Sequence, residues 1–276
     1  MPQGVSLGYS PRRRVRLIGA HVARSQRNRS SGTSSGKQVP RHAAWRASIA
    51  RVRGNRVAPR EPVCDRCRVP QPILRTARLL LVPLADRHVD LEVELDSDPE
   101  VLRYLDGRAR SRDEVAESHA RRMALTGRVE GLGFWMAFGS DGGKRGSVPP
   151  ATEGEGEFIG LMMLPPAHGP DQPDDPAVSD LGYRLIRRYW RQGLASEASR
   201  ALLRHAFDTA GQSRVIAQTM AVNAGSRGVM RAIGMRYVRT YFPSWDDPLP
   251  GSEEGEVEYE MTRGMWEALR VASPGT

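Results

Sequence analysis

The stretch with the most chemical content runs Asp180-Leu-Gly-Tyr-Arg-Leu-Ile-Arg-Arg-Tyr-Trp-Arg-Gln-Gly-Leu-Ala-Ser-Glu-Ala198. It reads as an extended strand, a turn holding Gly193, and the opening of a helix made of small residues. The first N–H groups of a helix have no intrahelical acceptor, and the helix dipole adds partial positive charge there. Such a mouth takes phosphate oxygens. Gly193 and Ala195 let a bulky anion reach the backbone, and Arg191 supplies a formal charge. A dinucleotide-binding turn would need Gly-x-Gly-x-x-Gly, which this turn lacks.

Other chemistry-bearing groups carry less. Cys64-Asp-Arg-Cys67 has metal-ligand spacing, but a closed zinc site needs four ligands and no second pair follows. His42 and His88 are too irregularly placed to complete it, so no metal is expected. The stretch 32–37 resembles a phosphate loop, but its spacer is one residue short and Gln38 stands where Ser or Thr belongs. His205 falls inside a helical period and reads as packing or surface. The acidic group Asp246, Asp247, Glu253, Glu254 and Glu256 can attract a cationic amine, and it can equally be a solvated loop.

The elements that must position these residues begin near Thr76. Residues 78–82 read as a strand stopped by Pro83, and 85–95 and 99–105 as short helices, the second with Asp98 as cap before Pro99. Ser111 and Glu114 form a capping box for a helix reaching about Thr126. Strands are expected at 133–138 and 157–164, joined by the Gly-rich segment 139–156, and a Pro- and Asp-rich loop spans 165–179. Then follow a strand at 180–187, a helix at 194–210 ended by Gly211, a strand at 214–221 and a helix at 224–233. Strands at 235–242 and 255–263 and a helix at 264–270 close the chain. That order predicts one α+β domain around a mixed sheet flanked by helices.

Charge divides the chain. Residues 1–70 hold fifteen Arg and Lys37 against Glu61 and Asp65, a net of +14. Residues 71–276 hold 25 basic against 30 acidic side chains, a net of −5. The first 73 residues show no sustained apolar period, so they are expected to form a disordered basic extension. They include no Met after Met1, which fits a natural start at another codon such as that of Val69. No run of 18 apolar residues exists, so no membrane helix is expected, and two cysteines suit a reducing cytoplasm.

With these residues in view, the sequence resembles the GNAT superfamily of N-acetyltransferases, in particular the ribosomal-protein N-terminal acetyltransferase (RimJ/RimL-type) branch and its bacterial relatives. The family's pyrophosphate turn, Arg/Gln-x-x-Gly-x-Gly/Ala, is similar to Trp190-Arg-Gln-Gly-Leu-Ala195, with Trp190 replacing the leading Arg or Gln. The pair Tyr189-Trp190 is common in that branch. About 30 residues on, Asn223-Ala-Gly-Ser226, closed by Gly234-Met235, looks like the family's Asn-x-x-Ser helix. The opening Thr76-Ala-Arg-Leu-Leu-Leu81 and closing Glu258-Tyr-Glu-Met-Thr-Arg263 fit as well, so the resemblance covers about residues 74–270, followed by a tail at 271–276.

The resemblance implies an acetyl-CoA-dependent transferase without a metal. Leu185, Ile186 and Arg187 on the splayed strand, with Arg191, Gln192, Gly193, Leu194, Ala195, Ser196 and Asn223, are the expected cofactor contacts. Ser226 is either a helix cap or an aid to the departing thiolate. A neutral amine must attack the thioester, so a base is needed, with Glu157 and Asp246 as candidates or as plain surface carboxylates. The acceptor is a protein N-terminus or a small amine, and a homodimer is consistent with the family. Rival readings are a catalytically silent acyl-CoA-binding module and a nucleic-acid-binding protein using its arginine-rich arm. The second ranks last because the domain core has no basic stripe.

Overall fold

The computed structural model describes residues 71–140, 156–169 and 171–272. The Arg-rich extension, the Cys64/Cys67 pair, the 32–37 motif and most of the 139–156 segment lie outside these residues.

Five strands form the first sheet: β1 (Leu74–Arg75), β2 (Leu79–Pro83), β3 (Gly133–Gly139), β4 (Phe158–Leu164) and β6 (Gly182–Leu185), ordered β1-β2-β3-β4-β6 and antiparallel throughout. Near-continuous apolar sequence in β2, β3 and β4 follows from burial on both faces. Leu79, Leu81, Trp135 and Ala137 enter one core, against α3 (Leu194–Arg204) and α4 (Ala224–Ala232). Leu80, Val82, Phe134 and Met136 enter the other, against α1 (Val89–Asp96) and α2 (Arg112–Leu125). A second sheet has the order β5 (Val178–Asp180), β7 (Arg214–Met220), β9 (Glu256–Thr262), β8 (Arg236–Tyr241), with β5 and β7 parallel. The last helix, α5 (Arg263–Ala272), stacks Trp266 on Phe207 with ring centroids 5.7 Å apart.

The expected strand at 180–187 is divided between the two sheets. Its first part, β5, pairs with β7, and the Leu181 N–H still reaches the Ile216 carbonyl at 2.8 Å. From Gly182 onward the chain pairs with β4 alone. The strands therefore part just past Asp180, and a wedge opens between β6 and the C-terminal half of β7.

Two other expectations shift. Residues 99–105 form successive turns instead of a helix: Val101, Arg103 and Leu105 N–H groups each bond three residues back, without a continuous ladder. Burial of Leu102 and Leu105 sets that path, although Asp98 does cap, accepting the Glu100 N–H at 3.0 Å. The 194–210 helix is α only through Arg204 and widens to a π turn at His205–Thr209. There the His205 ring is bonded to the Gly131 carbonyl at 2.8 Å, fixing it between α3 and the start of β3. The Ser111–Glu114 capping box forms as expected, with reciprocal bonds of 3.3 and 3.0 Å.

Candidate active site

The turn between β6 and α3 is held from several sides. The Trp190 indole donates to the Leu185 carbonyl at 2.7 Å, tying the turn to the end of β6. Arg78 donates to the Gln192 carbonyl at 2.9 Å and pairs with Glu197 at 2.7 Å, while Thr76 donates to the same carboxylate at 2.6 Å. These contacts pin the first turn of α3 to the start of β2. Arg191 sits at φ 62° and Gly193 at φ 76°, the left-handed region that turns the backbone into the helix mouth. The first intrahelical bond runs from Glu197 to the Gly193 carbonyl, and no side chain caps the start. The amides of Leu194, Ala195 and Ser196 thus stand ahead of the ladder, as a phosphate cradle requires.

Along β6 the hydrogen-bonding direction alternates. Ile186 N–H bonds β4 at the Ile159 carbonyl, and Asp180 N–H bonds the Pro165 carbonyl, whereas Leu181 N–H points to β7. The alternation turns the Tyr183 and Leu185 N–H groups toward the wedge, where β7 has moved away. They are suited to an extended amide-bearing chain and to a carbonyl oxygen that gains charge.

Side chains of the same strand sort onto two faces. Leu181, Tyr183 and Leu185 enter the α3/α4 core, and Asp180, Gly182 and Arg184 face the other way. On that second side lies a cavity of about 440 Å³ lined by Asp180, Gly182, Gln218, Met220, Phe134 and Met163, among others. Asp180 is buried. Its Oδ2 accepts the Gln172 amide at 2.8 Å; Gln172 also bonds Gln218 at 3.1 Å, and Gln218 bonds Glu258 at 3.0 Å. Asp180 Oδ1 is buried with no hydrogen-bond partner. Burial raises the Asp180 carboxyl to about 6, with Glu258 adding to the rise and Gln172 and His168 opposing it.

The Asn223 and Ser226 pair lies under the wedge. Asn223 caps α4, accepting the Ser226 N–H at 3.1 Å and donating to Thr219 Oγ1 at 3.0 Å. Ser226 Oγ and the Tyr183 hydroxyl are 3.1 Å apart, and both residues are fully buried. Burial pushes the Tyr183 phenol far above its usual range, so it stays neutral. The structure thus brings together residues 185–196, Asn223 and Ser226, through the Tyr183 link between β6 and α4.

Glu157 and Asp246 stand apart. Glu157 is exposed at the edge of β4 and paired with Arg188 at 2.8 Å. Asp246 is exposed in the 242–251 loop; its neighbour Trp245 lines the cavity and it does not. Sequence reasoning missed Asp180. Its available signal was the alternation Asp180-x-Gly182-x-Arg184, three non-apolar positions on one face of an otherwise apolar strand.

A buried ionic cluster supports the site from behind. Arg184 is fully buried and bonded to Asp96 of α1. Arg110 bonds Asp96 and Asp106, and Arg122 and His119 of α2 both bond Glu92. Arg184, Arg122 and Arg110 together outweigh the effect of burial and hold the Asp96 carboxyl below the usual range. Among the described residues no helix is long and apolar enough to cross a membrane.

Comparison with known proteins gives the same direction. Residues 78–236 match the Acetyltransferase (GNAT) domain family. A curated relative, "FsC-acetyl coenzyme A-N(2)-transacetylase" of Aspergillus fumigatus, is 38% identical over 207 residues, covering 74% of this chain and 81% of its own. Among solved structures, an acetyltransferase from Agrobacterium tumefaciens is 26% identical with a TM-score of 0.50, covering 69% of this chain and 94% of that one. The ribosomal L7/L12 α-N-protein acetyltransferase RimL, in complex with coenzyme A, is 17% identical with a TM-score of 0.52, covering 69% and 98%; at that identity the likeness is one of fold.

Proposed function

The chain belongs to the GNAT acetyltransferase family, and from that premise we propose that it moves the acetyl group of acetyl-CoA to a primary amine, with Asp180 as the proton acceptor. The observation that carries this reading is the buried Asp180, which lines the cavity at the point where β5/β6 and β7 part. Acetyl-CoA supplies an activated acyl group when bound. Every other element of the reaction falls to the chain's own residues.

The amides of residues 194–196 and Arg191 are suited to the pyrophosphate. The Tyr183 and Leu185 N–H groups align the pantetheine arm and polarise a thioester carbonyl in the wedge. The acceptor nitrogen approaches from the cavity. An ammonium has no lone pair to attack with, so a proton must leave it. Asp180, raised to about 6, is ionised at neutral pH yet closer in basicity to the amine than a solvated carboxylate is. Its unpartnered Oδ1 is the atom free to accept that proton. Ser226, bonded to the Tyr183 hydroxyl, stabilises charge at the sulfur end through α4.

The name of the Aspergillus relative specifies acetyl coenzyme A as donor and N(2) as the position, which supports a nitrogen acceptor for this chain as well. A cavity of about 440 Å³ favours a small amine. The Tyr189-Trp190 pair and the RimL-like fold support a protein N-terminus as the second reading. Release of free thiol from acetyl-CoA, measured over a panel of small amines and N-terminal peptides, tests the proposal. Acetyl-CoA binding without turnover of any amine would reduce the chain to a silent acyl-CoA-binding module.

A further inference from the structure

The turn that opens α3 is held in a conformation it would not keep unaided. Arg191 carries a full side chain at φ 62°, a left-handed conformation that costs free energy in any residue but glycine. Gly193 follows at φ 76°, and no side chain caps the helix it opens. Such a turn persists only where its surroundings over-determine it. Part of that hold comes from the start of β2, 114 residues earlier in the chain.

Arg78 joins both ends of the turn. Its Nη1 donates to the Gln192 carbonyl at 2.9 Å, and its Nε donates to Glu197 in the first turn of α3 at 2.7 Å. The Glu197 carboxylate also accepts the Arg78 N–H at 2.9 Å and the Thr76 hydroxyl at 2.6 Å. Thr76 is fixed in turn by Leu79. The Thr76 N–H donates to the Leu79 carbonyl and the Leu79 N–H to Thr76 Oγ1, each at 2.9 Å. Leu79 is buried in the same core as Leu194 and Ala198, so the clamp and the helix rest on one scaffold.

Peptide geometry carries this hold into the helix mouth. In a trans peptide the carbonyl and the following N–H point to opposite sides. With the Gln192 carbonyl drawn to Arg78, the Gly193 N–H is turned away from it and makes no bond among the described residues. Gly193 at φ 76° and ψ 2°, followed by helical Leu194, sets successive N–H groups into a concavity of the kind that binds anions. The Gly193 N–H is its first member. Rotation of the 192–193 peptide plane would replace that N–H with a carbonyl oxygen, which repels an anion.

Charge gives the clamp a second task. Although burial opposes it, the Thr76 and Arg78 donors hold the Glu197 carboxyl below its usual range, so it is anionic at neutral pH. An anion in the first helical turn suits the helix dipole but opposes an incoming diphosphate. Arg78 offsets it.

We infer that Arg78 and Glu197 are positioning residues for the cofactor: they set the 192–193 peptide plane, and with it the grip of the helix mouth on a diphosphate. This rests on the reading of that mouth as the diphosphate site. It is independent of the proton acceptor and of the amine.

The test uses the full chain and two ligands, coenzyme A and pantetheine, which shares the thiol arm but lacks the diphosphate and nucleotide. Binding of both is measured by calorimetry, and thiol release from acetyl-CoA is followed in parallel. Arg78→Met should weaken coenzyme A by about tenfold or more, as loss of charge-assisted bonds implies, and leave pantetheine within about twofold. Arg78→Lys, which keeps the charge but not the two-point fork, should recover only part of the loss. Glu197→Gln separates positioning from plain electrostatics, and it carries the test if Arg78→Met fails to fold. It removes a negative charge from the mouth, so electrostatics alone would tighten coenzyme A, whereas a loosened Arg78 should weaken it severalfold. Three results would each overturn the inference and leave acetyl transfer to stand on its thiol release. They are equal losses for the two ligands in folded variants, unchanged or tighter coenzyme A in Glu197→Gln, and a wild type with no preference for coenzyme A over pantetheine. Clamp-dependent coenzyme A binding without thiol release to any amine would uphold the inference and remove the transfer reading.

Discussion

Asp180→Asn separates the catalytic role of this carboxylate from its cost to the fold. The carboxyl rises from 3.8 to about 6 on folding, chiefly through burial. For an acid with a raised folded value, the native state binds more protons than the unfolded chain between those two values. Stability therefore falls as pH rises through that window and stays lowered above it. A shift of about two units corresponds to about 3 kcal/mol at neutral pH. Asparagine keeps the acceptor for Gln172 but puts an amide where Oδ1 has no partner, which returns about 1–2 kcal/mol of the gain. The variant should then be about 1–2 kcal/mol more stable at pH 7.5, or roughly 3–6 °C in melting temperature. Near pH 4 the advantage should vanish or reverse, because the wild-type carboxyl is then protonated in the fold. Activity should move the other way, with kcat lower by about a hundredfold or more. Differential scanning calorimetry at the two pH values, paired with thiol-release kinetics, reads both effects. A variant that melts below the wild type at pH 7.5, or that keeps its turnover, would refute the assignment.

Four further outcomes are expected. Wild-type kcat should fall with decreasing pH through about 6 as Asp180 is protonated, and a profile flat from pH 5 to 8 would count against it. Gly193→Val should weaken acetyl-CoA binding by about tenfold or more, measured by calorimetry. A Cβ there would meet only Arg78 Nη2, at 3.6 Å, so the loss arises from the φ of 76° and from bulk beside the phosphates. Ser226→Ala should slow turnover more than it changes cofactor affinity; the Tyr183 hydroxyl still finds the Ser226 carbonyl at 3.1 Å, so equal losses would indicate a purely structural role. Asp96→Asn should destabilise the domain by about 3–5 kcal/mol in chemical denaturation, because it weakens the pairing of the fully buried Arg184.

The two exposed acids offered by the sequence illustrate what a linear reading misses. Glu157 precedes β4 and Asp246 follows β8, and such places in the chain say nothing of depth. Glu157 has Arg188 as its partner at the surface, a pair made by two elements 31 residues apart. Asp180 became a candidate proton acceptor only when Gln172, Gln218 and the second sheet enclosed it. A base is defined by its dielectric surroundings, and these are assembled from distant segments.

By itself the sequence determined the parts that depend on short range. Period-two and period-3.6 apolar patterns located nearly every strand and helix, Ser111 and Glu114 announced a capping box, and Gly193 marked the turn into α3. Each of these rests on backbone sterics and hydrogen bonds within a few residues. Tertiary structure alone decided where the strand at 178–185 changes partners, because that depends on how far β7 follows it. It also set the ionic cluster of Asp96, Arg110 and Arg184 and the lining of the cavity. Charges on α1, α2 and β6 acquire their roles from distances between elements, which no local pattern encodes.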